Sequence, residues 1–299
     1  MSNATAEDPY ITDDAHGEGW HFMLGDSCER MAEIPSESVH LSVYSPPFES
    51  LYTYSPSPRD MGNSLGRDDF FEQYGYIIRE NLRITVPGGL ACIHVQQTTT
   101  TLATHGVIGM TDFRGDVIRA YQRDGWIFYG EVTVDKDPQA QAIRTKAQAL
   151  MFATKNRDSS KSRPALADYL LIFRKPGERP SQVKTDVTND EWIEWARPVW
   201  YNIRESDTLN ARIARDNDDE RHLTPLQLDF IERCVRLYTN PGETVFTAFG
   251  GVGSELWVSV KYGRRALGIE LKPSYWATGV QYLRDLDREM ALPTLMDAL

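Results

Sequence analysis

Seven short apolar runs of strand length recur along the chain, separated by stretches whose apolar residues repeat at helical spacing. The runs are Trp20 to Leu24, Val39 to Tyr44, Leu90 to Gln96, Trp126 to Val134, Asp168 to Arg174, Glu243 to Phe249 and Arg265 to Glu270. Trp20 to Leu24, Val39 to Tyr44, Trp126 to Val134 and Glu243 to Phe249 are flanked on both sides by Gly, Ser or Asp, as buried strands are. Between them, Asp68 to Leu82 places Phe71, Tyr74, Ile77, Ile78 and Leu82 on one helical face. Pro87-Gly88-Gly89 predicts the turn that ends it. Helices are also predicted over Asp112 to Asp124, Leu226 to Tyr238 and Ser254 to Tyr262, and Thr224-Pro225 marks the start of the one at Leu226. Strands alternating with helices in this way predict an α/β fold built on a largely parallel sheet.

Two of the runs lead into segments suited to chemistry. Val39 to Tyr44 enters Ser45-Pro46-Pro47-Phe48. Successive prolines hold an extended backbone whose carbonyls stay free to accept hydrogen bonds. Ser45 adds a hydroxyl and Phe48 a flat apolar face, a set able to grip an exocyclic amine and stack on its ring. The same tetrad is also compatible with a plain turn. Glu243 to Phe249 enters the glycine turn Gly250-Gly251-Val252-Gly253, a helix follows, and Arg265 to Glu270 ends in a carboxylate. Such a β-turn-α-β unit lets backbone approach a nucleotide while the terminal acid takes a ribose diol.

The two motifs, in this order, resemble the β-group of amino-methylating DNA methyltransferases, the N4-cytosine/N6-adenine class. The resemblance runs from about Trp20 to Leu283, and the stretch HLSVYSPPFESLYTYSPSPRDMGN is similar to methylases carried by bacteriophages and prophages. It implies a Rossmann-like S-adenosylmethionine-dependent methyltransferase fold with a seven-stranded mixed sheet and circularly permuted motifs. The glycine-loop strand is then the first of the sheet, Arg265–Glu270 the second, Trp20–Leu24 the third and Val39–Tyr44 the fourth. It implies S-adenosyl-L-methionine as cofactor, double-stranded DNA as partner, a flipped target base and no metal. Ser45, Pro46, Pro47 and Phe48 become the catalytic residues. Asp26, Thr224, Phe249, Gly250, Gly251, Gly253 and Glu270 become cofactor ligands, although Asp26 would serve equally as a helix cap. His222 and Thr224 match positions of the family's His-Pro-Thr motif, with Leu223 in place of its Pro. Thr247-Ala248-Phe249 stands where the family has Asp-Pro-Phe, which removes a carboxylate from the cofactor side. Ser45 at the head of the tetrad favours cytosine N4, with adenine N6 as the alternative and a catalytically silent cofactor-binding module as a third reading.

The 299 residues, 41% hydrophobic, suffice for one large domain. The net charge of −11 argues against a DNA partner until its distribution is considered, because residues 136–184 carry 11 basic and 4 acidic side chains. The insert Asp135 to Ala167, helical over about Pro138 to Phe152, is assigned to DNA contact through Arg144, Lys146, Lys155, Arg157, Lys161 and Arg163. Residues 1–19 are expected to be an acidic tail, 20–285 the methyltransferase domain and 286–299 a second tail. Asp186 to Arg221, with three tryptophans, either covers the cofactor cleft or builds a homodimer surface. Tyr52, Tyr54, Arg59 and Asp60 lie on a long connector able to close over a base. His94 is read as a packed strand residue. Cys28, Cys92 and Cys234 form no metal-binding or disulfide pattern. No membrane-length apolar run or leader is present, so a soluble protein of the bacterial or phage-infected cytoplasm is expected.

Overall fold

The computed structural model describes residues 10–48, 57, 59–100, 102–139, 150–152, 155–210 and 225–292. The strands are β1 (Asp13–Gly17), β2 (Trp20–Leu24), β3 (Val39–Tyr44), β4 (Thr85–Gln96), β5 (Thr98–Thr100), β6 (Gly109–Thr111), β7 (Ile127–Val134), β8 (Asp168–Arg174), β9 (Val199–Trp200), β10 (Thr244–Thr247) and β11 (Arg265–Glu270). The helices are α1 (Ser27–Arg30), α2 (Arg67–Ile84), α3 (Leu102–His105), α4 (Phe113–Arg123), α5 (Asn189–Trp195), α6 (Leu228–Tyr238), α7 (Ser254–Lys261) and α8 (Pro273–Met290). Nine strands form one sheet in the order β1-β2-β11-β10-β3-β4-β8-β7-β9. The seven expected strands occupy its centre, and β1 and β9 extend its two edges.

Strands β2, β11, β10, β3 and β4 run parallel, and β8 lies antiparallel between β4 and β7. The glycine-loop strand β10 sits between β11 and β3, the neighbours implied by the permuted order. From β10 the chain crosses through α7 to β11, whereas β3 crosses through α2 to β4 on the opposite side. The order therefore reverses between β10 and β3, and their C-terminal ends flank the crevice where open α/β sheets take ligands.

Period-two alternation divides the core by face. Leu41 and Val43 of β3, Cys92 of β4, Leu170 of β8 and Val134 of β7 pack with Phe230, Ile231 and Val235 of α6 and with Trp200. Tyr44, Ala91, Ile93, Val95 and Leu171 pack on the other face with Phe70, Tyr74 and Ile77 of α2 and Val117 and Tyr121 of α4. A smaller cluster seats Val280, Leu283 and Leu286 of α8 against Trp20 and Phe22. Helix α2 carries Asp68 and Asp69 in its first turn and Arg83 in its last, both favourable to the helix dipole.

Three expectations need correction. Residues 13–17, read as part of an acidic tail, form β1, pairing with β2 in a hairpin from Asp13↔Leu24 to Gly17↔Trp20. Only Ala15 of this strand is buried, so its apolar signal is a single residue and backbone pairing holds it. The Pro87–Gly89 turn lies inside β4, which already pairs with Val39 at Thr85, then shifts register and resumes at Leu90 beside Leu41. Gly88 takes φ +69°, and a Cβ there would meet Arg179 N at 2.6 Å, so the glycine is required by a kink within the strand. The helix expected over about 138–152 lies mostly outside the described residues. At its expected far end Leu150 is not helical, and its N–H donates to Arg163 O at 2.9 Å.

Candidate active site

The catalytic candidates stand at the C-terminal end of β3. Pro46 and Pro47 are buried, while Ser45 and Phe48 keep partial access to solvent. The ring of Phe48 meets Phe113 edge-on at 5.8 Å and His94 at 6.1 Å, so one side is anchored in the aromatic cluster under α2 and α4. Directly behind, Ser42 Oγ donates to Asn81 Oδ1 at 2.6 Å, and Asn81 Nδ2 donates to Tyr44 Oη at 3.3 Å. Tyr44 Oη meets Tyr121 Oη at 2.6 Å. Burial drives the Tyr44 hydroxyl up to about 12. A fully partnered polar network of this kind fixes the strand end that carries Ser45.

Four neighbouring strands contribute a second polar row on the α6 side. Ser45 Oγ lies 3.1 Å from His94 Nδ1, and His94 Nε2 lies 2.9 Å from Asp168 Oδ2. Lys136 Nζ reaches the same carboxylate oxygen at 2.7 Å, and Gln96 Nε2 donates to Asp168 Oδ1 at 2.7 Å. His94, Asp168 and Lys136 are all buried. Burial alone would raise the Asp168 carboxyl, yet His94 and Lys136 outweigh it and hold the group at about 2. The row was not expected from the sequence, where His94 is a packed strand residue. The available signal was parity: His94 shares its face with Leu90 and Cys92, and Asp168 shares its face with Leu170. That parity becomes informative only once β3, β4, β8 and β7 are known to be adjacent.

The glycine turn lies across the crevice. Gly253 N–H donates to Gly250 O at 2.7 Å and closes the turn. Gly251, at φ +52°, has open space where a Cβ would point, whereas a Cβ on Gly250 would strike the Phe22 ring at 2.5 Å. Glu270 accepts from Gly251 N–H at 2.7 Å and from Lys272 N–H at 2.8 Å. Its carboxyl is raised to about 7, by burial first and by nearby Asp60 as well, against those two donors and the Lys272 charge. An ionised carboxylate has about four acceptor positions, so about two remain for a diol. The hydroxyls of Thr247 and Ser254, on either side of the turn, are buried without a hydrogen-bond partner. An open, glycine-lined turn with two unpaired hydroxyls and an acid of spare accepting capacity fits S-adenosylmethionine. Phe249 packs its ring edge-on against Tyr44 at 5.5 Å and stays half-buried.

Asp26 caps α1, accepting from Cys28 N–H at 2.9 Å. Its other oxygen lies 3.3 Å from Arg59, which also pairs with Glu29 and covers the Tyr10 ring at 4.1 Å. Arg59 is thus held on the α1 side. Thr224, His222, Tyr52, Tyr54, Arg144 and Lys146 lie outside the described residues. Lys155 and Arg157 are exposed and Arg163 is half-buried, while Lys161 ends a short 3-10 turn, Ser159–Lys161. Residues 186–210 extend the sheet through β9 and bury Trp195 and Trp200 beside α6. Among the described residues, Asp14, His16 and His21 of the β1–β2 hairpin bring possible metal ligands within 4.8 Å of one another. Both Asp14 oxygens already accept from Arg30, at 3.0 and 2.9 Å.

The DNA methylase model of N6/N4 methyltransferases matches residues 39–281. The Type II methyltransferase M.MjaI of Methanocaldococcus jannaschii is 22% identical over 285 residues, covering 85% of this chain and 88% of that one. Two solved structures share the fold at a TM-score of 0.63. The first is TTHA0409 of Thermus thermophilus complexed with S-adenosyl-L-methionine, at 22% identity over 88% of this chain and 94% of that one. The second is the cytosine-N4-specific PvuII DNA methyltransferase, at 17% identity over 91% and 92%. With the family match spanning most of the chain, this protein belongs to the DNA methylase family and is an S-adenosylmethionine-dependent enzyme that methylates exocyclic amines of DNA, at cytosine N4 or adenine N6.

Proposed function

We propose that the methylated amine is cytosine N4 of a base flipped out of double-stranded DNA. The observation that carries this reading is the placement of Ser45 Oγ at the end of β3, hydrogen-bonded to His94 and across the strand-order reversal from the glycine turn. A seryl head to the tetrad is the form that favours cytosine in this class, and the PvuII enzyme of the same fold is cytosine-N4-specific.

Bound S-adenosylmethionine supplies an electrophilic methyl group. The chain's own task is to make a poor nucleophile attack in line, because the amine lone pair is delocalised into the ring. Ser45 Oγ and the Pro46 carbonyl accept the two amine hydrogens and favour a pyramidal nitrogen, while the accessible face of Phe48 stacks on the base. Positioning of this kind supplies most of the rate without a covalent enzyme intermediate. Gly250, Gly251 and Gly253 admit the cofactor to the backbone, and Glu270 takes its ribose. Flipping costs a few kcal/mol, and the basic insert with Lys155, Arg157, Lys161 and Arg163 supplies phosphate contacts that offset it.

Incubation of duplex DNA with the protein and methyl-labelled cofactor, then digestion to nucleosides and mass spectrometry, tests this. Labelled N4-methylcytosine is the expected product. Labelled N6-methyladenine would transfer the same geometry to adenine.

A further inference from the structure

We propose that Lys136, Asp168 and His94 form a positioning row that fixes Ser45 Oγ as a hydrogen-bond acceptor for the target amine and takes up the proton released by methyl transfer. The proposal rests on the reading of Ser45 as an amine ligand and assigns the proton's route.

The polarity follows from the donors present. Asp168 receives Lys136 Nζ at 2.7 Å on Oδ2 and the Gln96 amide at 2.7 Å on Oδ1. Both partners only donate in these contacts, so the carboxyl is ionised and only accepts. His94 Nε2, 2.9 Å from Asp168 Oδ2, must then carry a hydrogen. In a neutral imidazole the other nitrogen is a lone-pair acceptor. His94 Nδ1 therefore accepts, and Ser45 Oγ–H, at 3.1 Å, donates to it. With its only hydrogen committed, Ser45 presents lone pairs to the crevice. An amine arriving there must donate, which is the orientation that localises its own lone pair for attack.

The same row handles the proton. As the N–CH3 bond forms and the S–CH3 bond breaks, the amine nitrogen becomes cationic with one hydrogen in excess. That proton passes to Ser45 Oγ while the Ser45 proton passes to His94 Nδ1. The imidazolium is then held against the Asp168 carboxylate until it returns its proton to solvent. Among the described residues, the charged groups at His94 are Asp168 on β8 and, through it, Lys136 beyond β7, and the rings of Phe230 from α6, at 5.2 Å, and of Phe48 flank the imidazole. Lys136 balances Asp168 in the resting state, so the row does not require a charged histidine before the reaction.

Single-turnover methyl transfer to DNA, at saturating cofactor and across a pH series, tests the row in His94→Gln. Glutamine preserves a polar contact with Ser45 and cannot accept the proton. The expected result is a rate lower by about 100-fold or more, cofactor affinity within about twofold of wild type, and loss of the acid limb of the wild-type pH profile. A rate within about threefold of wild type, or a slow variant with its acid limb intact, overturns the proposal. Imidazole 1H–15N correlation spectra of the wild-type protein supply a readout independent of activity. The Nε2–H tautomer of His94 is expected, becoming mixed in Asp168→Asn, and an Nδ1–H tautomer in wild type also overturns the row. If wild type yields no methylated nucleoside, the functional reading fails while the tautomer still reports on the row.

Discussion

The backbone N–H of Gly251 donates to Glu270 Oε2 at 2.7 Å, tying the glycine turn to the acid at the end of the neighbouring strand. The bond places a half-buried carboxylate beside a partly exposed stretch of backbone, with the Lys272 N–H holding its other oxygen at 2.8 Å. If the remaining acceptor positions take the cofactor's ribose, Glu270→Ala should weaken S-adenosylmethionine binding by about 1–3 kcal/mol, the scale of a hydrogen bond to a charged group. Calorimetry measures it. Burial raises Glu270 to about 7, and hydroxyl donors favour the ionised form. Affinity should therefore tighten as pH rises through about 7 in wild type and stay flat in Glu270→Gln. Unchanged binding in Glu270→Ala would remove the ribose assignment.

Thr247 stands where the sequence resemblance leads one to expect an aspartate, and its hydroxyl is buried without a partner. Thr247→Asp would place a carboxylate in that site before any ligand arrives to pair with it. An unpaired buried charge is destabilising, so the cofactor-free variant should melt below wild type. The ammonium group of bound S-adenosylmethionine would then supply the missing partner, and the thermal shift on adding cofactor should exceed that of wild type. Equal shifts in the two proteins would show that residue 247 does not face the cofactor.

The inner strands β3, β4 and β8 were legible because they are buried on both faces or nearly so, leaving apolar runs such as Leu170 to Phe173. The glycine turn was legible because its constraint is local: Gly253 needs φ +83° whatever surrounds it. Strand β1 was not, since four of its five residues face solvent and only pairing with β2 defines it. The two-residue β9 gives no periodic signal. His94 is the packed strand residue expected, and it gave no sign of its polar row for a physical reason. Its neighbours in the row come from residues 45, 136 and 168, so its chemistry depends on the strand order, and within its own sequence it looks like any polar residue in a buried strand.

Ser45→Ala separates catalysis from cofactor binding. The hydroxyl lies at the end of β3, across the crevice from the glycine turn, so its loss leaves Glu270 and Gly251 in place. Methyl transfer should fall by about 100-fold or more, the scale of removing one preorganised hydrogen-bonding group at a reacting centre. The dissociation constant for S-adenosylmethionine should remain within about twofold. Filter-binding of labelled DNA and calorimetry with cofactor measure the two quantities. A parallel loss of both would mean that Ser45 shapes the cofactor pocket rather than the base site.

Glu255, in the first turn of α7 beneath the glycine turn, is only 5% exposed. Burial raises its carboxyl to about 8, with the nearby Glu270 adding to the rise. The folded value lies above the ordinary 4.5, so the folded chain holds this proton more tightly than the unfolded one. The resulting stability is fully present below pH 4.5 and is lost as pH rises through about 8. Glu255→Gln keeps the shape of the neutral acid and has no proton to lose. The variant should match wild type near pH 4.5 and gain on it with rising pH, levelling off above about pH 8 at a difference of a few kcal/mol. Urea unfolding at several pH values measures that gap. Parallel curves would mean that Glu255 is ionised in the folded protein, and the positive end of α7 would then be balancing a carboxylate directly under the cofactor turn.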